Sequence, residues 1–178
     1  MVNWHKKNQK NLWKIYGIFS ITTACFVTVV FLLIQNPISK TAKASNFDAN
    51  EVIQKINLER KKNNLPDLQS NSKLSLASVQ KAKDIIDQNY FAHINPSNNK
   101  KWSDFIFDND YNYIIAGENL AKDFYDVEDL VKAWMNSPTH RENILNIDVK
   151  DTGVGVIKGK LNNQDTVVVV QEFGKVVE

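Results

Sequence analysis

The run Val167-Val168-Val169-Val170 constrains this chain more than any other stretch. It lies in a segment from Asp165 to Phe173 that reads as a strand. Side chains alternate between the two faces of a strand, so four consecutive valines leave both faces apolar. A strand of that kind needs cover on both sides, which places it in the middle of a sheet with helices above and below. The preceding segment, Thr152-Gly153-Val154-Gly155-Val156-Ile157, reads as a second strand with glycine on one face and valine on the other. Glycine weakens a strand and marks the close approach of a neighbour. Gly159 to Asn163 reads as the turn between the two.

The helices that supply the cover precede these strands. Asp48, with Glu51 three residues later, resembles a capping box ahead of Ala49, Val52, Ile53 and Ile56 at helical spacing. That helix ends near Asn63-Asn64, with Asn57 and Arg60 on its polar side, where a solvated face is the plain reading. A second helix starts near Asn71 or Ser72 and carries the apolar stripe Leu74, Ala77, Ala82, Ile85 and Ile86. Tyr90 and Phe91 read as core, and His93 follows just past the helix. A short helix holds Trp102, Phe105 and Ile106, and Tyr113 to Ala116 reads as a strand that ends into Gly117-Glu118-Asn119-Leu120. Asp123 or Asp126 can cap a helix through Val127, Leu130, Val131 and Trp134. The expected fold is α+β: a three-layer α-β-α sandwich around a mostly antiparallel sheet, spanning 48–174, with 175–178 as a tail.

The chain has 178 residues, and its charge is uneven. Residues 1–44 hold six lysines and no acid, so the remainder carries 16 basic against 20 acidic residues. An acidic domain lacks the basic face of a nucleic-acid binder, and no nucleic-acid partner is expected. The only cysteine, Cys25, lies in the uncharged apolar run 15–34, so residues 45–178 can form no disulfide. Twenty residues at about 1.5 Å each match the roughly 30 Å hydrocarbon core of a membrane. The basic tail 1–14 then stays in the cytoplasm, Trp13 and Tyr16 anchor the inner interface, and 35–47 is a linker to an external domain. Two localisations stay open. One is a single-pass anchor with the C-terminal domain outside. The other is secretion after cleavage following Ala44, at the small-x-small site Ala42-Lys43-Ala44.

The candidate chemistry centres on Trp134-Met135-Asn136-Ser137-Pro138-Thr139-His140-Arg141-Glu142-Asn143-Ile144-Leu145. Ser137 suits a helix N-cap and Pro138 the first helical position. His140 then falls in the first turn, where the helix dipole favours its neutral form. Asn143 lies on the same side, three residues on.

Taken in order, Glu59-Arg60, Tyr90-Phe91-Ala92-His93, Gly117-Glu118-Asn119-Leu120, the Trp134–Leu145 stretch, Gly153-Val154-Gly155-Val156 and Gln171-Glu172-Phe173-Gly174 resemble the CAP superfamily. This is the family of cysteine-rich secretory proteins, antigen 5 and pathogenesis-related 1, also called the SCP domain. The likeness is to its short cysteine-free bacterial type and covers about residues 47–174. It implies the same α-β-α sandwich and a cavity lined by two histidines and two glutamates, which in some members holds a divalent metal. His93, Glu118 and His140 match three of the four, and Ser137 stands at the fourth. The resemblance makes Zn²⁺ or another divalent metal a candidate cofactor. It also makes Asn119, Trp134, Ser137, Arg141 and Asn143 candidate supports of the cavity.

Two His and one Glu suit zinc. The same three residues also suit a hydrogen-bond network that ties sheet to helices, since buried polar groups need partners. The enzyme alternative is a hydrolase of an envelope substrate, either metal-dependent at that His/Glu set or using a Ser137–His140 pair with Glu118 as orienter. The leading expectation is an envelope binding module whose ligand is a glycan, lipid or peptide.

Overall fold

The structure, a computed structural model, describes residues 47–177. The basic tail 1–14, the expected membrane segment 15–34, the cleavage site after Ala44 and nearly all of the linker 35–47 lie outside the described residues. Among the described residues, no helix is long and apolar enough to cross a membrane. The elements, in order, are α1 (Ala49–Lys62), β1 (Gln69–Ser70), α2 (Ser72–Asp87), α3 (Trp102–Asp108), β2 (Tyr113–Lys122), α4 (Val127–Asn136), α5 (Pro138–Leu145), β3 (Asp151–Leu161) and β4 (Gln164–Val176).

Local chemistry sets most of these boundaries. Asp48, Asn71 and Asp126 each accept a bond from a first-turn N–H, which starts α1, α2 and α4. Pro138 opens α5 at a position that needs no donor. The sheet order is β1-β3-β4-β2, with β2 and β3 antiparallel to β4 and the short β1 parallel to β3. That parallel strand was not visible in two polar residues.

β4 is central, as the valine run requires. Val167 and Val169 pack with Ala121, Val154 and Phe173 against α1, α4 and α5, through Val52, Ile56, Leu130, Trp134 and Ile144. Val168 and Val170 pack with Leu120 and Leu161 on the opposite face against Ala82 and Ile85 of α2. Leu74 and Ala77 of α2 join Phe105 and Ile106 of α3 and Tyr111 in a third cluster. The result is three layers, α1/α4/α5 over the sheet over α2/α3. The glycine face of β3 meets α2 directly: a Cβ at Gly153 would stand 2.1 Å from Ser75 N, and one at Gly155 2.4 Å from Ser78 C.

Several expectations are corrected. β2 does not end at Ala116 but runs through Gly117 and Glu118 to Lys122, because its register with β4 holds from Ile115 to Lys122. The β3–β4 turn is only Asn162-Asn163, both at positive φ, which a two-residue hairpin of this hand requires. β3 therefore extends to Leu161, past the Gly159 start of the expected turn. β4 continues to Val176, beyond residue 174. Phe91 is 41% exposed and is not core. Arg60, read on a solvated face, is fully buried. Its Nε donates to Pro66 O, and its Nη1 to Ile144 O and Asn146 O, each at 2.8 Å. A guanidinium that satisfies carbonyls at the C-terminal end of α5 can be enclosed where a bare charge could not.

Candidate functional site

Helix α2 ends at Asp87, and the chain then turns back over the sheet through Tyr90 to His93. The His93 Nδ1 lies 2.6 Å from Glu118 Oε1. The two side chains differ sharply in exposure, 53% for His93 and 1% for Glu118. The imidazole therefore stands at the surface on a buried carboxyl anchor. Glu118 pairs in register with Glu172 of β4, so both side chains leave the same face of the sheet, toward α2. Glu172 is fully buried, and neither of its carboxyl oxygens nor Glu118 Oε2 accepts a hydrogen bond from the described residues. Burial pushes both carboxyls above the ordinary carboxylate range. His93 and Lys81 pull Glu118 back down, whereas Glu118 pushes Glu172 further up against a weaker downward pull from Lys81.

The second histidine is approached from the other helical layer. His140 Nδ1 lies 2.9 Å from Ser137 Oγ. Its ring sits 6.5 Å from that of buried Trp134, whose Nε1 donates to Leu120 O. Burial lowers the His140 pKa below the usual value, and positive charge on His93 lowers it further. The neutral bias expected from the helix dipole is present, with burial as its first cause. Ser137, expected to cap α5, makes no side-chain cap bond, because its hydroxyl is committed to His140 and, at 3.5 Å, Thr139 Oγ1.

Two amides fasten α5 to β2. Asn143 Nδ2 donates to Glu118 O and Asn119 Oδ1, and Asn119 Nδ2 donates to His140 O. Of the expected supports, Asn119 and Asn143 join α5 to β2, and Trp134 bonds β2 from α4. Arg141 is exposed, and its backbone N–H donates to Ser137 O. The structure brings His93 to Glu118 and Ser137 to His140, but it does not bring Glu118 to His140 as an orienting carboxylate.

A metal held by His93, Glu118 and His140 needs three donors that converge. Here Glu118 Oε1 faces His93 Nδ1, and His140 Nδ1 faces Ser137. Among the described residues, no group of three or more His, Cys, Asp or Glu side chains is arranged to hold a metal ion. In this arrangement the donor set does not fit the metal that the resemblance implies.

Sequence reasoning missed Glu172 and Lys81 as members of this cluster. Glu172 was visible only as one letter of a motif. Lys81 was hidden because it interrupts the apolar stripe of α2. Both are fully buried, and Lys81 Nζ donates to Tyr90 Oη at 2.8 Å and Ala92 O at 3.0 Å.

The chain is similar to known proteins over its folded part. The uncharacterized protein YkwD of Bacillus subtilis (strain 168) is 39% identical over 120 residues, 66% of this chain and 46% of that protein. The uncharacterized membrane protein YlbC of the same organism is 28% identical over 120 residues, 66% of this chain and 34% of that protein. The chain thus spans less than half the length of these curated relatives. Among solved structures, an extracellular SCP-domain protein of Bacillus anthracis str. Ames matches with a TM-score of 0.61 at 27% identity, over 71% of this chain and 40% of that one. An outer surface protein of Borrelia burgdorferi matches with a TM-score of 0.61 at 25% identity, over 73% of this chain and 96% of that one. The model of the cysteine-rich secretory protein family, CAP, matches residues 53–173. The sandwich and its ordered motifs agree with that match, and the chain belongs to the CAP family.

Proposed function

We propose that this CAP-domain protein is exported and acts at the cell envelope as a binding module for a glycan, lipid or peptide. The observation that carries the reading is the His93–Glu118 pair, in which an exposed imidazole is held rigidly by a buried carboxyl. Such pre-organisation cuts the ordering cost of binding. Ser137, Thr139 and His140 add hydroxyl and imidazole groups at the start of α5. Export is supported by the apolar run 15–34 and by relatives described as extracellular, outer-surface or membrane proteins. Retention through 15–34 is preferred to cleavage after Ala44, and the mass of the exported protein decides between them.

The binding test is an array of envelope glycans, lipid vesicles and short peptides, probed with the full chain and with His93→Ala and His140→Ala. The expected result is one ligand class bound at least about tenfold more weakly by His93→Ala, a loss of roughly 1.4 kcal/mol, with the fold intact. Equal binding by all three proteins would sink the reading. A cleft between α1 and α4, lined by Lys55, Leu58, Lys62, Val131, Lys132 and Met135, contains neither imidazole. Leu58→Asp in that cleft serves as the control and leaves binding unchanged.

A second reading rests on the 2.9 Å Ser137–His140 contact, which is within reach for a base and a nucleophile. It makes the protein a hydrolase of an envelope substrate, with neutral His140 as the base. Any hydrolysis would then vanish in Ser137→Ala and survive a chelator.

A further inference from the structure

The exposed residues Phe91, Ala92, His93 and Ile94 stand between two buried ones, Tyr90 and Asn95. Exposed loop tips are ordinarily mobile. Here both ends of the tip are tied to one atom of α2. Asp84 Oδ2 accepts from Tyr90 Oη at 2.5 Å and from Asn95 Nδ2 at 3.0 Å. Tyr90 Oη also accepts from the buried Lys81 Nζ, three residues earlier on α2, and the same ammonium donates to Ala92 O within the tip. On the far side, the Trp102 N–H at the start of α3 donates to His93 O at 3.1 Å, and the Asn95 N–H donates to Lys100 O at 2.9 Å. Asn95 Oδ1 accepts from Ser97 N. The chain is therefore pinned before, at and after His93, while Glu118 holds the imidazole itself. Enclosing a lysine and an asparagine completely is costly unless their polar groups find partners. Apolar side chains could fill the same space without that desolvation. What a satisfied polar closure adds is one defined loop geometry.

We infer that Asp84, acting with Tyr90, is a positioning residue for His93: it closes the 90–95 loop into a rigid mount that presents the imidazole to a ligand in one orientation. The two pins meet on a single carboxylate oxygen, so losing that carboxylate frees both ends of the tip at once. Fixing the tip before a ligand arrives removes part of the ordering cost of binding. The inference rests on the binding reading for that benefit, but the mount itself is tested without any ligand.

The experiment uses the full chain in a mild non-ionic detergent, labelled with ring-¹³C histidine and backbone ¹⁵N. NMR relaxation reads the mobility of the His93 ring and of the amides of 91–94, with thermal melts in parallel. In the wild type these groups are expected to be as ordered as the sheet, with order parameters of about 0.85. Asp84→Ala is expected to bring them below about 0.6 while the rest of the domain keeps its order. Tyr90→Phe keeps the ring and removes only the hydroxyl, and is expected to loosen the tip in part. Asp84→Asn keeps one acceptor oxygen and is expected to recover part of what Asp84→Ala loses. Thr166→Val breaks the Thr166–Asp123 bond and serves as the control for lost stability alone. It is expected to lower the melting temperature and leave His93 ordered. If Asp84→Ala does not fold, Tyr90→Phe carries the test. A His93 ring that stays ordered in a destabilised Asp84→Ala or Tyr90→Phe would overturn the inference, as would a ring that loosens equally in Thr166→Val. Any ligand found by the array is expected to bind Asp84→Ala about three- to tenfold more weakly, and equal binding by the loosened tip would also overturn the inference. An empty array with the loss of order intact would refute the binding reading alone.

Discussion

Replacing Arg60 by methionine is the sharpest test of how the site is held. Methionine keeps much of the apolar stem but removes every donor. Three carbonyls lose their partner: Ile144 O in a buried position, and Pro66 O and Asn146 O in partly buried ones. Leaving a buried acceptor unsatisfied costs about 1–3 kcal/mol, with partly wet ones at the low end, so the sum is about 4 kcal/mol. Enclosing the guanidinium has its own cost, seen in the lowered Arg60 pKa, whose first cause is burial, and in an Nη2 without a partner. Relief of that cost offsets about 1 kcal/mol, leaving a net loss of about 3 kcal/mol. For a domain of this size that is a drop of about 10 °C in melting temperature. Urea unfolding followed by circular dichroism reads the free energy directly. Arg60→Lys, with one ammonium for three scattered carbonyls, should lose about half as much. A loss below about 1 kcal/mol in Arg60→Met would show that water satisfies these carbonyls, and would refute the claim that Arg60 clamps α1 to the end of α5.

Gly153→Ala would place a Cβ 2.1 Å from Ser75 N and 2.2 Å from Leu74 C, where only backbone can move, so we expect a loss of about 3 kcal/mol or more in the same unfolding assay. At Gly159 a Cβ would stand 2.5 Å from Ile86 Cγ2, a branched side-chain methyl rather than backbone, so alanine there should cost less than at Gly153 but still about 1 kcal/mol or more. The raised Glu172 pKa means that the folded state holds a proton the unfolded chain releases. Stability from this group is therefore present below the ordinary carboxylate value and is lost as pH rises through the folded pKa. Glu172→Gln should flatten that decline above the ordinary carboxylate range, and an unchanged pH profile would contradict the assignment. The His140 ring should titrate below the usual imidazole value in proton NMR, and should move back up when the charge at His93 is removed by His93→Gln.

The fold was legible because its signals are local and periodic. Four valines demand two covered faces, and both clusters that cover them are present. Asp48, Asn71 or Ser72, and Asp123 or Asp126 marked the helix starts; the caps are Asp48, Asn71 and Asp126, and Asp48 accepts from Asn50 N without the expected Glu51 capping box. The corner Ser137-Pro138 marks the start of α5, yet the role of Ser137 was misjudged, because capping competes with a histidine one turn away. Gly153 and Gly155 signalled close approach but could not say that α2 was the neighbour.

The sequence by itself determined the layers, the central strand and most of the helix boundaries, which follow from period, capping and turn chemistry acting over a few residues. The grouping of His93, Glu118 and His140 rested on the resemblance to the CAP family. Only the tertiary structure decided partnerships across the chain. It paired Glu118 with His93 and placed Glu172 opposite, across two strands 54 residues apart in sequence. It enclosed Arg60 and Lys81, two cations that any polar-face reading leaves in water. The physical reason is that a buried charge is tolerated only where distant segments supply its partners, and no local pattern records which distant atoms those will be.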